Sequence, residues 1–142
     1  MNFKMMGRFL AQILSIEALF MVPALGIGLS CGETAAVKGF LFSITITTLT
    51  APVLLRICRG APSAFYAKEG LVCVGASWIV LSALGCLPFC LSGEIPKYVD
   101  AFFEMVSGFT TTGASILPEV ERLSKSILYW RSFSHWLGGM GV

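Results

Sequence analysis

The chain has 142 residues, 56% of them hydrophobic and only 13% charged, with a mean hydropathy of +0.81 and a formal net charge of +2. A soluble domain carries about a quarter of its residues as charges, so a single water-exposed core is excluded and lipid is the natural solvent. The small, scattered positive charge argues against a nucleic-acid partner, and nothing in the composition marks a separate soluble domain.

The charges leave long gaps. Between Phe9 and Gly32 only Glu17, and the weakly acidic Cys31, can ionise; Gly39 to Leu55 and Gly70 to Gly93 carry no charge. A bilayer core of about 30 Å needs roughly 20 apolar residues in a helix. The pattern predicts spans over Phe9–Leu29, Val37–Ile57 and Glu69–Leu91. Lys4 and Arg8 before the first run resemble a signal peptide, and Gly28-Leu29-Ser30-Cys31 a poor lipoprotein cleavage site. The run is long for a signal core and two more spans follow, so a retained first helix is expected. Pro23, Pro52 and Pro88 fall in or near these spans, where neighbouring helices can satisfy the backbone they free. Thr45, Thr47, Thr48 and Thr50 are compatible with helix because their hydroxyls can bond the preceding turn.

Basic residues set the expected orientation. Lys4 and Arg8 precede the first span, and Arg56, Arg59 and Lys68 follow the second. Positive loops favour the cytoplasm, which puts the N-terminus inside and Ser92–Lys125 outside. Within that outer stretch, Asp100–Phe109 is too apolar for water and, at about 15 Å of helix, too short to cross a bilayer. It reads as a re-entrant pore helix, with Asp100 as N-cap at the positive end of the dipole. A last helix is expected from about Ser124 and is still running at Val142. Its apolar part from Ser126 spans about 26 Å, so it looks truncated.

Between these two helices lies Ser107-Gly108-Phe109-Thr110-Thr111-Thr112-Gly113-Ala114-Ser115. A dehydrated monovalent cation must exchange its water for several oxygen dipoles, without a carboxylate that would hold it too tightly. Backbone carbonyls of an extended strand supply them, threonine adds a hydroxyl, and glycine lets successive carbonyls turn to one axis. A helix ending just before the strand points its negative end at the ion. Thr110, Thr111, Thr112 and Gly113 are therefore the candidate potassium-binding residues.

The stretch Asp100-Ala-Phe-Phe-Glu104-Met-Val-Ser107-Gly108-Phe109-Thr-Thr-Thr-Gly113-Ala resembles the first pore loop of the Trk/Ktr/HKT potassium transporter superfamily. The run from Tyr129 to Gly141 resembles the following helix in bacterial Trk-type proteins. Two spans ahead of the first repeat also fit the Trk branch. The resemblance implies an all-α membrane protein: residues 1–68 as two N-terminal transmembrane helices, and 69–142 as one incomplete helix–pore loop–helix repeat of a potassium-channel-like fold. It further implies potassium uptake across the bacterial cytoplasmic (inner) membrane, with backbone carbonyls of Thr111 and Thr112 as ligands and Asp100 and Glu104 as pore-helix support. A homodimer of the full-length protein and a cytoplasmic nucleotide-binding regulatory subunit follow from the same resemblance. Potassium is the transported ion, and no cofactor is expected in the chain. A complete member has four such repeats, so the chain reads as the N-terminal part of a transporter, whether by truncation or frameshift, supplying about a quarter of a coordination shell.

Other residues carry competing readings. Glu17, in the first span, is expected as a protonated or hydrogen-bonded carboxyl in a helix interface; an ion site, or a pair with a residue of a missing repeat, is the alternative. Glu104 either bonds the filter backbone, attracts cations, or simply packs the pore helix. Arg131 and His135 share a helix face and read as a buried or interfacial polar pair rather than a proton relay. Gly138, Gly139 and Gly141 read as close helix packing. Cys31, Cys58, Cys73, Cys86 and Cys90 lack metal or disulfide spacing and read as small apolar residues. Asp100 and Glu104 share a face, but with no nucleophile or metal ligand beside them no enzyme is expected. The alternative function is a small polytopic membrane interaction protein, or a non-functional fragment.

Overall fold

The computed structural model describes residues 3–60 and 66–140. Six α-helices follow one another: α1 (Phe3–Cys31), α2 (Thr34–Ile57), α3 (Ala67–Gly85), α4 (Leu87–Leu91), α5 (Tyr98–Phe109) and α6 (Lys125–Gly139), with a 3-10 turn at Val120–Arg122 before the last. No strand occurs among the described residues. Among the described residues, three stretches are long and apolar enough to cross a membrane: Phe3–Cys31, Thr34–Ile57 and Ala67–Leu91.

α1 and α2 form an antiparallel hairpin through a tight turn at Gly32, whose φ of 70° suits glycine. α1 then packs on α3 and α6, α2 on α4, and α5 lies between α3 and α6. Only 22% of the most apolar window of α2 is buried, and Leu41, Phe42, Leu49 and Val53 are exposed. Such a surface needs lipid or further protein around it. The threonines of α2 behave as their chemistry requires: the hydroxyls of Thr45, Thr47 and Thr48 each donate to the carbonyl four residues back, at 2.7–2.8 Å.

The third span departs from the expected continuous helix. It breaks at Cys86, because Pro88 has no N–H to give. The Phe89 amide turns to Cys86 O at 3.1 Å, which frees the Gly85 carbonyl. The Trp130 indole fills that vacancy at 2.8 Å, and the Tyr98 hydroxyl donates to Ala83 O at 2.8 Å. A proline break at this depth is thus paid for by α6 and α5.

Two helix ends also differ. α5 begins at Tyr98, with Lys97 as N-cap and no side-chain cap bond. Asp100 is therefore not the N-cap; it lies in the first turn, because the helix starts as soon as Pro96 is passed. α6 is 15 residues long and ends at Gly139, about 22 Å of helix. The expected continuation to Val142 runs into residues outside those described, as does Gly141.

Candidate functional site

The polar loop after α5 is positioned by close backbone contact. A Cβ on Gly138 would overlap the Phe109 carbonyl, and one on Gly108 would overlap the Ser134 hydroxyl. Only glycine at these positions lets α6 lie directly against the last turn of α5. Phe109 is held from the other side by an edge-on contact with Trp78, ring centroids 6.3 Å apart. Gly139 has only an ordinary contact with Thr111.

From this anchor the chain reverses. The amides of Thr111 and Thr112 donate back to Gly108 O and Ser107 O at 3.0 Å, and Ser107 Oγ donates to Ala114 O at 2.6 Å. The turn uses a positive φ at both Thr111 (56°) and Gly113 (75°). Glycine adopts this freely, but a β-branched residue there is strained. Thr111 is the sole non-glycine with positive φ among the described residues. Strain of this kind persists only where the surroundings over-determine it, and it clusters at functional sites.

The amides of Thr110, Thr111, Thr112 and Gly113 are all satisfied by carbonyls of the last turn of α5, at Val106, Ser107 and Gly108. Their carbonyls are not: among the described residues nothing donates to any of the four, and all four residues are exposed. The Thr110 and Thr112 hydroxyls lie 2.8 Å apart on the same loop. The result is a run of consecutive oxygen dipoles with free lone pairs and no carboxylate among them.

Glu104 braces this loop from behind. Its side chain is wholly buried. Oε1 accepts the Ser115 hydroxyl at 2.6 Å and the Ile116 amide at 2.7 Å, and Oε2 accepts Arg131 Nε at 3.0 Å. Burial alone would push this carboxyl up. The Ser115 hydroxyl, Arg131 and the Ile116 amide outweigh it and hold it below the usual range, so Glu104 is ionised. Its backbone partner is Ile116, beyond Thr110–Gly113, so Glu104 bonds the segment that follows those four residues rather than their own backbone. Arg131 is paired with Glu104 rather than with His135, which meets it only through a 2.9 Å contact between Nδ1 and the Arg131 carbonyl.

A second set of polar bonds escaped the sequence. The Ser124 amide donates to the Glu94 carboxylate at 3.0 Å, and the Ser124 hydroxyl also meets it. The Lys125 amide and Ser126 hydroxyl donate to Glu33 at 2.7 and 2.6 Å. Two carboxylates from separate turns thus satisfy the first N–H groups of α6, where the dipole favours negative charge. The serines at 124 and 126 announce a helix start, but nothing local says which acids will reach it.

The remaining candidates lie apart. Glu17 is buried against Gly85 and makes no hydrogen bond to the loop. All five cysteines are free, and no group of three His, Cys, Asp or Glu residues able to hold a metal occurs among the described residues.

Residues 32–142 match the family TrkH, described as cation transport protein. The chain is 34% identical over its whole length to the Trk system potassium uptake protein TrkH of Halomonas elongata, covering 30% of that protein. It is 46% identical over 72 residues, 51% of the chain and 15% of the relative, to an uncharacterized cation transporter of Methanocaldococcus jannaschii. The crystal structure of the potassium transporter TrkH from Vibrio parahaemolyticus superposes on all of the chain and 30% of its own, with a TM-score of 0.90 and 29% identity. The chain therefore spans about 30% of the length of the relatives it matches from end to end.

Proposed function

The chain belongs to the TrkH family of cation transport proteins, and from that premise we propose that it supplies the first selectivity-filter strand of a four-repeat potassium uptake protein. The family is one of transporters rather than enzymes, and its named relatives take up potassium. The observation that carries the reading to these residues is the run of four unpaired carbonyls from Thr110 to Gly113. A potassium ion stripped of water needs such dipoles, fixed in direction and free of competing donors. Thr111 and Thr112 offer the carbonyls central to the strand, and the positive φ at Gly113 turns the chain out of it. Glu104, with Arg131, holds the outgoing segment; Asp100 adds negative charge to the first turn of α5.

In this reading residues 1–68 are two membrane helices preceding the pore unit, and 69–142 are the first pore repeat. The N-terminus lies in the cytoplasm of a bacterial cell, the protein sits in the inner membrane, and the polar loop opens outward. The full-length protein pairs as a dimer and takes a cytoplasmic nucleotide-binding subunit.

The test is a chimera in which this chain replaces the matching 30% of the Halomonas elongata protein. Uptake of radioactive rubidium into potassium-starved cells is measured with and without Gly113→Asp. Uptake that the substitution abolishes is expected, since a carboxylate in the strand would trap the ion. Uptake indifferent to the substitution would remove Thr110–Gly113 from the ion path.

A further inference from the structure

Glu17 has no part in the loop, yet it is the most anomalous polar group in the chain. It lies midway along α1, is 3% exposed, and neither carboxylate oxygen has a hydrogen-bond partner. It also faces a cavity of about 220 Å³ whose other walls include Phe20 of α1, Leu81 of α3, Phe109 of α5, and Leu137 and Met140 of α6. None of these carries a charge or a strong hydrogen-bond donor.

We propose that Glu17 is a proton-binding site within the membrane: a neutral carboxylic acid at the wall of an apolar cavity, open to lipid-soluble carboxyl reagents and closed to aqueous ones. An ionised carboxylate buried without partners is far costlier than a buried acid, and the group takes a proton instead. The neighbouring elements offer no alternative. On α6, Arg131 is bonded to Glu104 of α5, and the residues that reach the Glu17 cavity are Leu137 and, just past the helix end, Met140. At the break in the third span, the ionisable residue beside Gly85 is Cys86, itself an acid, which brings no positive charge. On the same side Glu17 Oε1 rests on Gly85, where a Cβ would come within 2.5 Å of it. Gly85 has given its carbonyl to Trp130, and its missing side chain makes the room the carboxyl occupies. A cation site is not supported, because the cavity supplies no second oxygen. A water site is not supported either, since a buried water needs two to four polar partners.

The test uses the chain in lipid bilayers and does not depend on potassium transport. A dicyclohexyl carbodiimide reacts with a neutral acid: the carboxyl O–H proton passes to one carbodiimide nitrogen while the oxygen bonds the central carbon, giving an O-acylisourea, whose acyl group then shifts from that oxygen to the neighbouring nitrogen to leave a stable N-acylurea, with no oxidant required. Peptide mapping by mass spectrometry is expected to find the label on Glu17 and not on Glu104, whose oxygens are taken. A cationic, water-soluble carbodiimide should reach exposed Glu119 and Glu121 and leave Glu17 free. The infrared carbonyl stretch of a protonated acid should be present at neutral pH and lost in Glu17→Gln. Glu17 left unlabelled by the lipid-soluble reagent, or a carboxylate band in place of the acid band, would overturn the proposal. Labelling of the unsubstituted chain decides the matter even if Glu17→Gln does not fold.

Discussion

Two glutamates are buried in this chain, one in each of its two halves, and their surroundings differ completely. Glu17 belongs to the α1–α2 hairpin and its packing on α3, a region held by apolar contact and by threonines bonded to their own helix. Glu104 belongs to the α5–loop–α6 unit, where three donors from two other segments converge on it. Burial is nearly equal; satisfaction is not. A buried acid with all its bonds is a brace, because removing it strands its partners. A buried acid with none is a chemical group held in reserve, because nothing else depends on its oxygens.

The comparison is broken most directly at Glu104. Glu104→Ala leaves the guanidinium of Arg131, which is 15% exposed, without its counter-ion, and strands the Ile116 amide. Breaking a buried pair from one side costs about 3–5 kcal/mol. Thermal unfolding in detergent should show a loss of that size, and Glu104→Gln, which keeps an acceptor for Ser115 and Ile116, a smaller one. A loss under 1 kcal/mol for the alanine variant would mean that the brace does not hold the loop.

Legibility in the sequence follows the same division. The three spans could be read because apolar runs of that length have one outcome in lipid, and the threonines of α2 because their bonds are local. The short apolar helix was legible as a helix, though it begins at Tyr98 rather than at Asp100. What could not be read depended on distant donors. Pro88 breaks the third span, and the donors that satisfy the carbonyls there, Tyr98 and Trp130, come from later helices. Arg131 and His135 read as a polar pair on one face, but the side-chain partner of Arg131 is Glu104, 27 residues away in the chain. The capping of α6 by Glu33 and Glu94 joins residues 30 to 93 positions apart, and no local pattern selects them.

Glu17 should respond in the opposite way to Glu104. Glu17→Leu removes two unpartnered oxygens and leaves a side chain of similar bulk facing an apolar cavity. Replacing an unsatisfied buried polar group by an apolar one is nearly neutral or stabilising, so the unfolding midpoint should hold steady or rise. A fall comparable to that of Glu104→Ala would reveal a partner that Glu17 depends on and would erase the contrast between the two regions.

The smallest effect lies between the regions, where Glu33 of the hairpin turn reaches the start of α6. Slight burial pushes its carboxyl up, but the Ser126 hydroxyl and the Lys125 and Ser126 amides win, and its pKa lies below the ordinary 4.5. A depressed acid contributes stability above its unfolded pKa and loses it as pH falls through the folded one. Unfolding of Glu33→Gln should therefore differ from the unsubstituted chain at neutral pH, by less than about 1 kcal/mol for a half-buried cap at the surface. The difference should vanish as the pH drops through the lowered pKa of the folded state. Glu94 titrates in the other sense: burial raises it, the Ser124 amide opposes this, and the Glu33 charge raises it further. Its favourable contribution is full below the ordinary pKa and fades as pH rises through the elevated one. Glu33→Gln removes that repelling charge, so the pKa of Glu94, followed by carbon-13 NMR of its carboxyl, should move down toward the usual carboxylate range. If it does not move, the two carboxylates cap α6 independently rather than as a coupled pair.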